Sequence, residues 1–138
     1  LTFFNWDEEP DPDHQFIDCM YEDNFVFFTG LESWMDQSFS PAFAHEGGPN
    51  LQEGCAIRNN VFFVARSALV YIQTYAEEYF PDFEGNTYVQ YADIPLIHSD
   101  SANLETDIYD PKAAMEVLGD ESGTVILLDE DIWGNRLG

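Results

Sequence analysis

The chain has 138 residues, 45% of them hydrophobic and 16% aromatic, with 27 acidic side chains, four basic ones and a formal net charge of −23. That length fits one domain, 1–138, and so much apolar material excludes a disordered acidic tail. A compact globule of this size is roughly 37 Å across, a length over which duplex DNA carries about 22 charges, so the chain rivals nucleic acid in field strength and should repel nucleic acid and anionic membranes alike.

Residues 1–14 are expected to form an exposed acidic arm, because Pro10 and Pro12 disfavour helix and ladder and the acids solvate it. "FIDCMY" and "NFVFFTG" read as short aromatic strands, paired as a hairpin through Glu22-Asp23-Asn24. "LESWMDQSF" reads as a short helix, and residues 40–54, rich in Pro, Gly and Asn, as the longest loop. Over 56–80 apolar residues recur at Ile57, Val61, Val64, Ala68, Leu69, Ile72 and Tyr79, which predicts a central helix of about six turns ended by Pro81. Arg58 and Arg66, half of all the bases, fall on it and should anchor nearby acids.

Further on, "NTYVQYA" alternates like a strand with one covered face, and "IPLIHS" reads as an edge strand or bend. "DPKAAMEVLG" carries the signals of a short helix: Asp110 as N-cap, Pro111 at the first position, Gly119 past the end. "TVILL" reads as a strand buried on both faces. No internal repeat stands out. The expected fold is α+β, a small mixed or antiparallel sheet packed on the long helix; a three-layer α/β sandwich is the alternative. No run of eighteen apolar residues is free of polar breaks, so no transmembrane helix is expected.

Four bases can neutralise at most four acids, and the first of them, Arg58, comes after twelve acids. The remaining repulsion is relieved by salt, by bound cations or by a basic partner. The expected function is therefore an acidic interaction protein that binds a basic protein surface, as an inhibitor, a nucleic-acid-mimicking decoy or an immunity-type partner. Trp6 and Trp133 are embedded in acids, so Trp6, Asp7, Glu8, Glu9, Asp11, Asp129, Glu130, Asp131 and Trp133 are the candidate contact residues. A structural or accessory subunit of a virion or large assembly in a saline setting is the second reading.

The third reading is enzymatic. Cys55 opens the expected long helix, where the dipole would favour thiolate, and His98 follows on a strand with Asp100 and Asn103 beyond it. That is the chain order of papain-like thiol hydrolases, so Cys55 and His98 are the candidate catalytic pair. No cofactor motif is present, and no zinc spacing: "HEGG" is not HExxH and there is no CxxC. Asp129, Asp131 and Gly134 fit places one, three and six of a calcium loop, but Trp133 holds the fifth place, so only weak divalent-cation capture by surface carboxylates is expected.

Overall fold

The computed structural model describes residues 1–5, 13, 15–28, 41–47, 52–130, 135 and 136. Strands make up 45% of the described residues and helix 10%. The first turn of chain holds β1 (Thr2–Asn5), β2 (Phe16–Ile17), β3 (Met20–Glu22) and β4 (Phe25–Phe28). The second holds β5 (Phe43–Gly47), β6 (Gln52–Glu53), β7 (Ala56–Arg58) and β8 (Val61–Val64). The third holds β9 (Val70–Ile72), a 3-10 turn at Glu77–Tyr79, β10 (Asp82–Glu84) and β11 (Thr87–Tyr91). The last holds β12 (Ile97–Ser99), β13 (Asp107–Ile108), helix α1 (Pro111–Leu118) and β14 (Thr124–Leu128).

Corresponding strands of successive turns lie side by side and parallel. The sheet orders are β1-β5-β9-β12-β13, β10-β7-β3, β14-β11-β8-β4 and β2-β6, and of these strand pairs β12–β13 alone is antiparallel. The chain thus winds through the same stations once per turn and stacks its turns as rungs, the arrangement of a solenoid. Register is strict: Phe25, Val61, Thr87 and Thr124 stack, as do Val26, Phe62, Tyr88 and Val125.

The long helix expected over 56–80 is absent, and with it both the helix-packed sheet and the three-layer sandwich. β7, β8, β9 and the 3-10 turn occupy that stretch. The helical spacing has a physical source. Ile57 points inward on β7, the corner restarts the phase so that Asn60 is also inward, and Phe62 and Val64 follow at period two. Strand alternation interrupted by corners produces gaps of three and four that resemble one helix face.

The corner between β7 and β8 recurs between β3 and β4 and between β10 and β11. Each has a residue of positive φ followed by an asparagine: Asp23 (φ 59°) and Asn24, Asn59 (φ 54°) and Asn60, Gly85 (φ 65°) and Asn86. Residues 19–28, 55–64 and 81–90 are therefore a repeat, hidden by unequal lengths of chain between its copies. Asn60 Oδ1 accepts from the backbone N–H (3.0 Å) and Nδ2 (3.1 Å) of Asn24. Asn86 Oδ1 accepts the same pair from Asn60, both at 3.0 Å. Each asparagine also returns a bond to the strand before a corner: Asn60 Nδ2 to Tyr21 O and Asn86 Nδ2 to Ile57 O. This buried ladder satisfies corner amides that would otherwise be left unpaired.

The ladder ends at Asp120, which is fully buried. Its Oδ1 accepts from Gly85 N–H (2.8 Å), and its Oδ2 from Asn86 N–H (3.2 Å), Asn86 Nδ2 (3.1 Å) and Tyr88 O–H (2.8 Å). Burial, and then the adjacent carboxylate, push the Tyr88 hydroxyl pKa upward, so it stays a donor.

Other expectations change with the topology. "FIDCMY" and "NFVFF" form no hairpin: β3 and β4 lie in separate sheets and pair with β7 and β8. The expected loop 40–54 contains β5 and β6, and Thr2–Asn5 of the expected arm is β1 on β5. β12 is no edge strand, for it pairs with β9 and β13. β14 is largely exposed rather than covered on both faces. The expected helix over 31–39 lies outside the described residues. Helix α1 falls where its caps place it: Asp110 accepts from Ala113 N–H at 2.9 Å, Pro111 is at the start and Gly119 is left-handed (φ 69°) at the end.

The core fills the rungs with rings and branched side chains, among them Phe43, Ile57, Phe62, Leu69, Ile72, Phe83, Tyr88 and Ile97. The outer side of β4, β8, β11 and β14 bears Phe25, Phe27, Val61, Phe63, Thr87, Val89, Tyr91, Thr124 and Ile126, with no charged residue. Phe27 stacks on Phe63 at 5.2 Å, and Phe63 lies 5.8 Å from Tyr91.

Candidate functional site

Among the described residues, two concavities hold polar groups that could act on another molecule. β10 is the last strand of its sheet, and α1 follows in the last turn. Between them runs a groove of about 620 Å³. Its walls carry Glu77, Asp82, Glu84, Glu116 and Glu121, all exposed, over a floor that includes Tyr75, Phe80 and Phe83. No Lys or Arg lines it. The shape has local causes. Phe80 and Phe83 stack at 5.6 Å and pull β10 against the core, so Asp82 and Glu84 turn outward by alternation. Tyr75 donates to Val117 O at 3.2 Å and joins the groove floor to the helix. Burial pushes the Tyr75 hydroxyl upward, with Glu77 adding to it.

Among the described residues no three His, Cys, Asp or Glu side chains converge closely enough to hold one metal ion. The groove carboxylates stand apart along both walls and present a field rather than a chelating cage. Such a surface suits several separated positive charges.

The second concavity, about 340 Å³, lies on the flank of β9 and β12, with Pro41, Ala68, Ile94 and Pro95 as its apolar lining. His98 sits there, half-buried, with Nδ1 2.8 Å from Asp107 Oδ1 and Nε2 3.6 Å from Asp100 Oδ1. Tyr71 donates to Asp100 Oδ2 at 2.6 Å and stacks on the imidazole at 5.9 Å. Burial, and then Asp100, push the Tyr71 hydroxyl upward. Arg66 is on the lip.

Cys55 is not brought to His98. It occupies the strand corner before β7 rather than a helix start, so no helix dipole acts on it. Its thiol is buried, donates to Phe16 O at 3.3 Å and has its pKa pushed upward, first by burial. The amide and thiol of Cys55 bond to Gln52, Phe16 and Glu53, while the imidazole of His98 lies against Asp107 and Asp100; Cys55 falls between β6 and β7, and His98 is on β12, in a different sheet from either. Asn103 lies near neither thiol nor imidazole by its own bonds, which run to Ser101 and Tyr75.

Of the expected contact residues, Trp6, Asp7, Glu8, Glu9, Asp11, Asp131 and Trp133 lie outside the described residues. Asp129 and Glu130 are exposed; Asp129 Oδ2 is 4.0 Å from Arg136 Nη2, and Glu130 forms a bridge with Arg136. The groove acids were not singled out by the sequence reading. Their signal was the repeat, since Glu84 occupies the station of Glu22 and Arg58, and only the stacking shows that α1 faces it. No helix among the described residues is long and apolar enough to cross a membrane. Comparison with models of known families, with curated proteins and with solved structures finds nothing that matches this chain.

Proposed function

We propose that the protein is an acidic interaction module that binds a basic protein surface, and that the groove between β10 and α1 is its principal seat. The observation that carries this reading is the five-carboxylate wall with no Lys or Arg lining it. In a chain of net charge −23, a cationic partner relieves repulsion as it binds, which adds to affinity and speeds encounter. Inhibition of a nucleic-acid-binding protein and neutralisation of a cationic toxin both use this chemistry.

The test is a calorimetric titration with a hexalysine peptide at low salt. Binding should weaken steeply as salt is added. The triple variant Glu77→Gln, Glu116→Gln, Glu121→Gln should lose roughly tenfold or more in affinity, because each exposed pair contributes a fraction of a kcal/mol. Equal binding by the triple variant would remove the groove from consideration, and salt-independent binding would remove the electrostatic reading altogether.

A further inference from the structure

The asparagine ladder has a direction. Asn60 and Asn86 each accept on Oδ1 from the rung before and pass their own N–H and Nδ2 to the rung after. At the far end Asp120 receives bonds on both carboxylate oxygens and has no side-chain N–H to pass on. At the near end Asn24 donates to Asn60 and to Glu22 O, while among the described residues nothing donates to its Oδ1. Among the described residues the ladder is closed at one end and open at the other.

The backbone is open at the same place. Among the described residues β3 and β4 each pair on one side only, with β7 and β8. Bonds to the second rung involve Cys19 O, Asp23 N–H and Asn24 O. Because successive residues of a strand turn their backbone groups to opposite sides, those of Met20, Glu22, Phe25 and Phe27 face away from β7 and β8. Three of these residues are also strongly exposed, Met20 at 47%, Phe25 at 70% and Phe27 at 56%. Charge selects what could fill the edge. In the second rung Arg58 lies over Glu22 at 2.8 Å, and Glu84 follows in the third. A further rung beside Glu22 continues this alternation only if it brings a positive charge, and Asp18 and Asp23 on the same edge repel acidic strands.

We propose that the edge of β3 and β4 is a docking surface for a parallel strand–corner–strand segment of another polypeptide, with Lys or Arg over Glu22 and Asn over Asn24. Its asparagine would donate to Asn24 Oδ1 as Asn24 donates to Asn60, and its strands would take the backbone groups of Met20, Glu22, Phe25 and Phe27. This is strand addition with a built-in register mark. The surface is separate from the acidic groove, so substitutions in one leave the other intact.

A synthetic peptide with the sequence of residues 52–64, Cys55 replaced by Ser, supplies the required pattern, since Arg58 and Asn60 stand at the right separation. Titrated into the whole protein, it should slow amide exchange at Met20, Glu22, Phe25 and Phe27 in step with binding. Asn60→Leu in the peptide should cost about tenfold in affinity, the equivalent of one or two hydrogen bonds. Glu22→Lys in the protein should weaken the peptide, and Arg58→Glu in the peptide should restore it; Glu22 is exposed, so the fold survives the change. Binding indifferent to the peptide asparagine, no charge-swap rescue, or edge amides already protected by a second copy of the chain in sedimenting dimers would each overturn the proposal.

Discussion

The inner and outer sides of one corner solve the same stacking problem by different chemistry. Inside, Asn24, Asn60, Asn86 and Asp120 form a column of neutral amides closed by one carboxylate, with Asn60, Asn86 and Asp120 out of water. Outside, Glu22, Arg58 and Glu84 form a column of alternating charge in contact with solvent. Removing an inner member strands partners that water cannot reach, whereas removing an outer member returns its partner to water. Position relative to solvent, more than bond strength, sets what each column contributes.

The sharpest break of that comparison is Asn60→Leu. It leaves Asn24 N–H, Tyr21 O and Asn86 Oδ1 without their side-chain partner, and should cost about 3–5 kcal/mol in denaturant unfolding. A loss below about 1 kcal/mol would mean that water replaces the ladder. Next is a buried ionisable group away from the corner. His45 is buried beside Phe80, and desolvation lowers its pKa to about 4 from an ordinary value near 6.5. The unfolded chain therefore takes up the proton first, so stability is complete above pH 6.5 and falls as pH drops towards about 4, by about 3 kcal/mol in all. His45→Phe should flatten that pH dependence.

Gly85→Ala comes third, at about 1–2 kcal/mol, because φ is 65° and an added Cβ would sit 2.9 Å from Asn59 Oδ1. Smallest is Arg58→Ala, an exposed partner of Glu22, which should move the melting temperature by no more than about 2 °C and only at low salt. If Arg58→Ala proved as damaging as Asn60→Leu, the division between the two columns would fail.

Parts of this fold can be read from sequence because their signals are local. Helix α1 carries its own start and stop in Asp110, Pro111 and Gly119, and β11 shows unbroken alternation. The rest depends on pairing between distant residues. Strands of two to five residues broken by corners of unequal length lack a period long enough to identify, and over 56–80 they imitate a helix. The repeat could have been found from "EDNFVFF", "RNNVFFV" and "EGNTYVQ", where one asparagine follows a residue suited to positive φ each time. Among site residues, His98 was visible as a titratable side chain, but Asp107 reaches it only through the β12–β13 pairing. The groove acids looked like any other surface acids until β10 and α1 were placed side by side.

The uncharged outer strip of Phe25, Phe27, Phe63, Val89, Tyr91 and Ile126 has a consequence for handling the protein. At low ionic strength, long-range repulsion between two highly anionic bodies keeps such strips apart. Concentrated salt collapses that protection to a few ångströms and strengthens apolar adhesion, so the strip becomes adhesive. Salt added to strip off a cationic companion would then drive the bare protein towards self-adhesion, and the two effects would separate on a column by opposite shifts in apparent size.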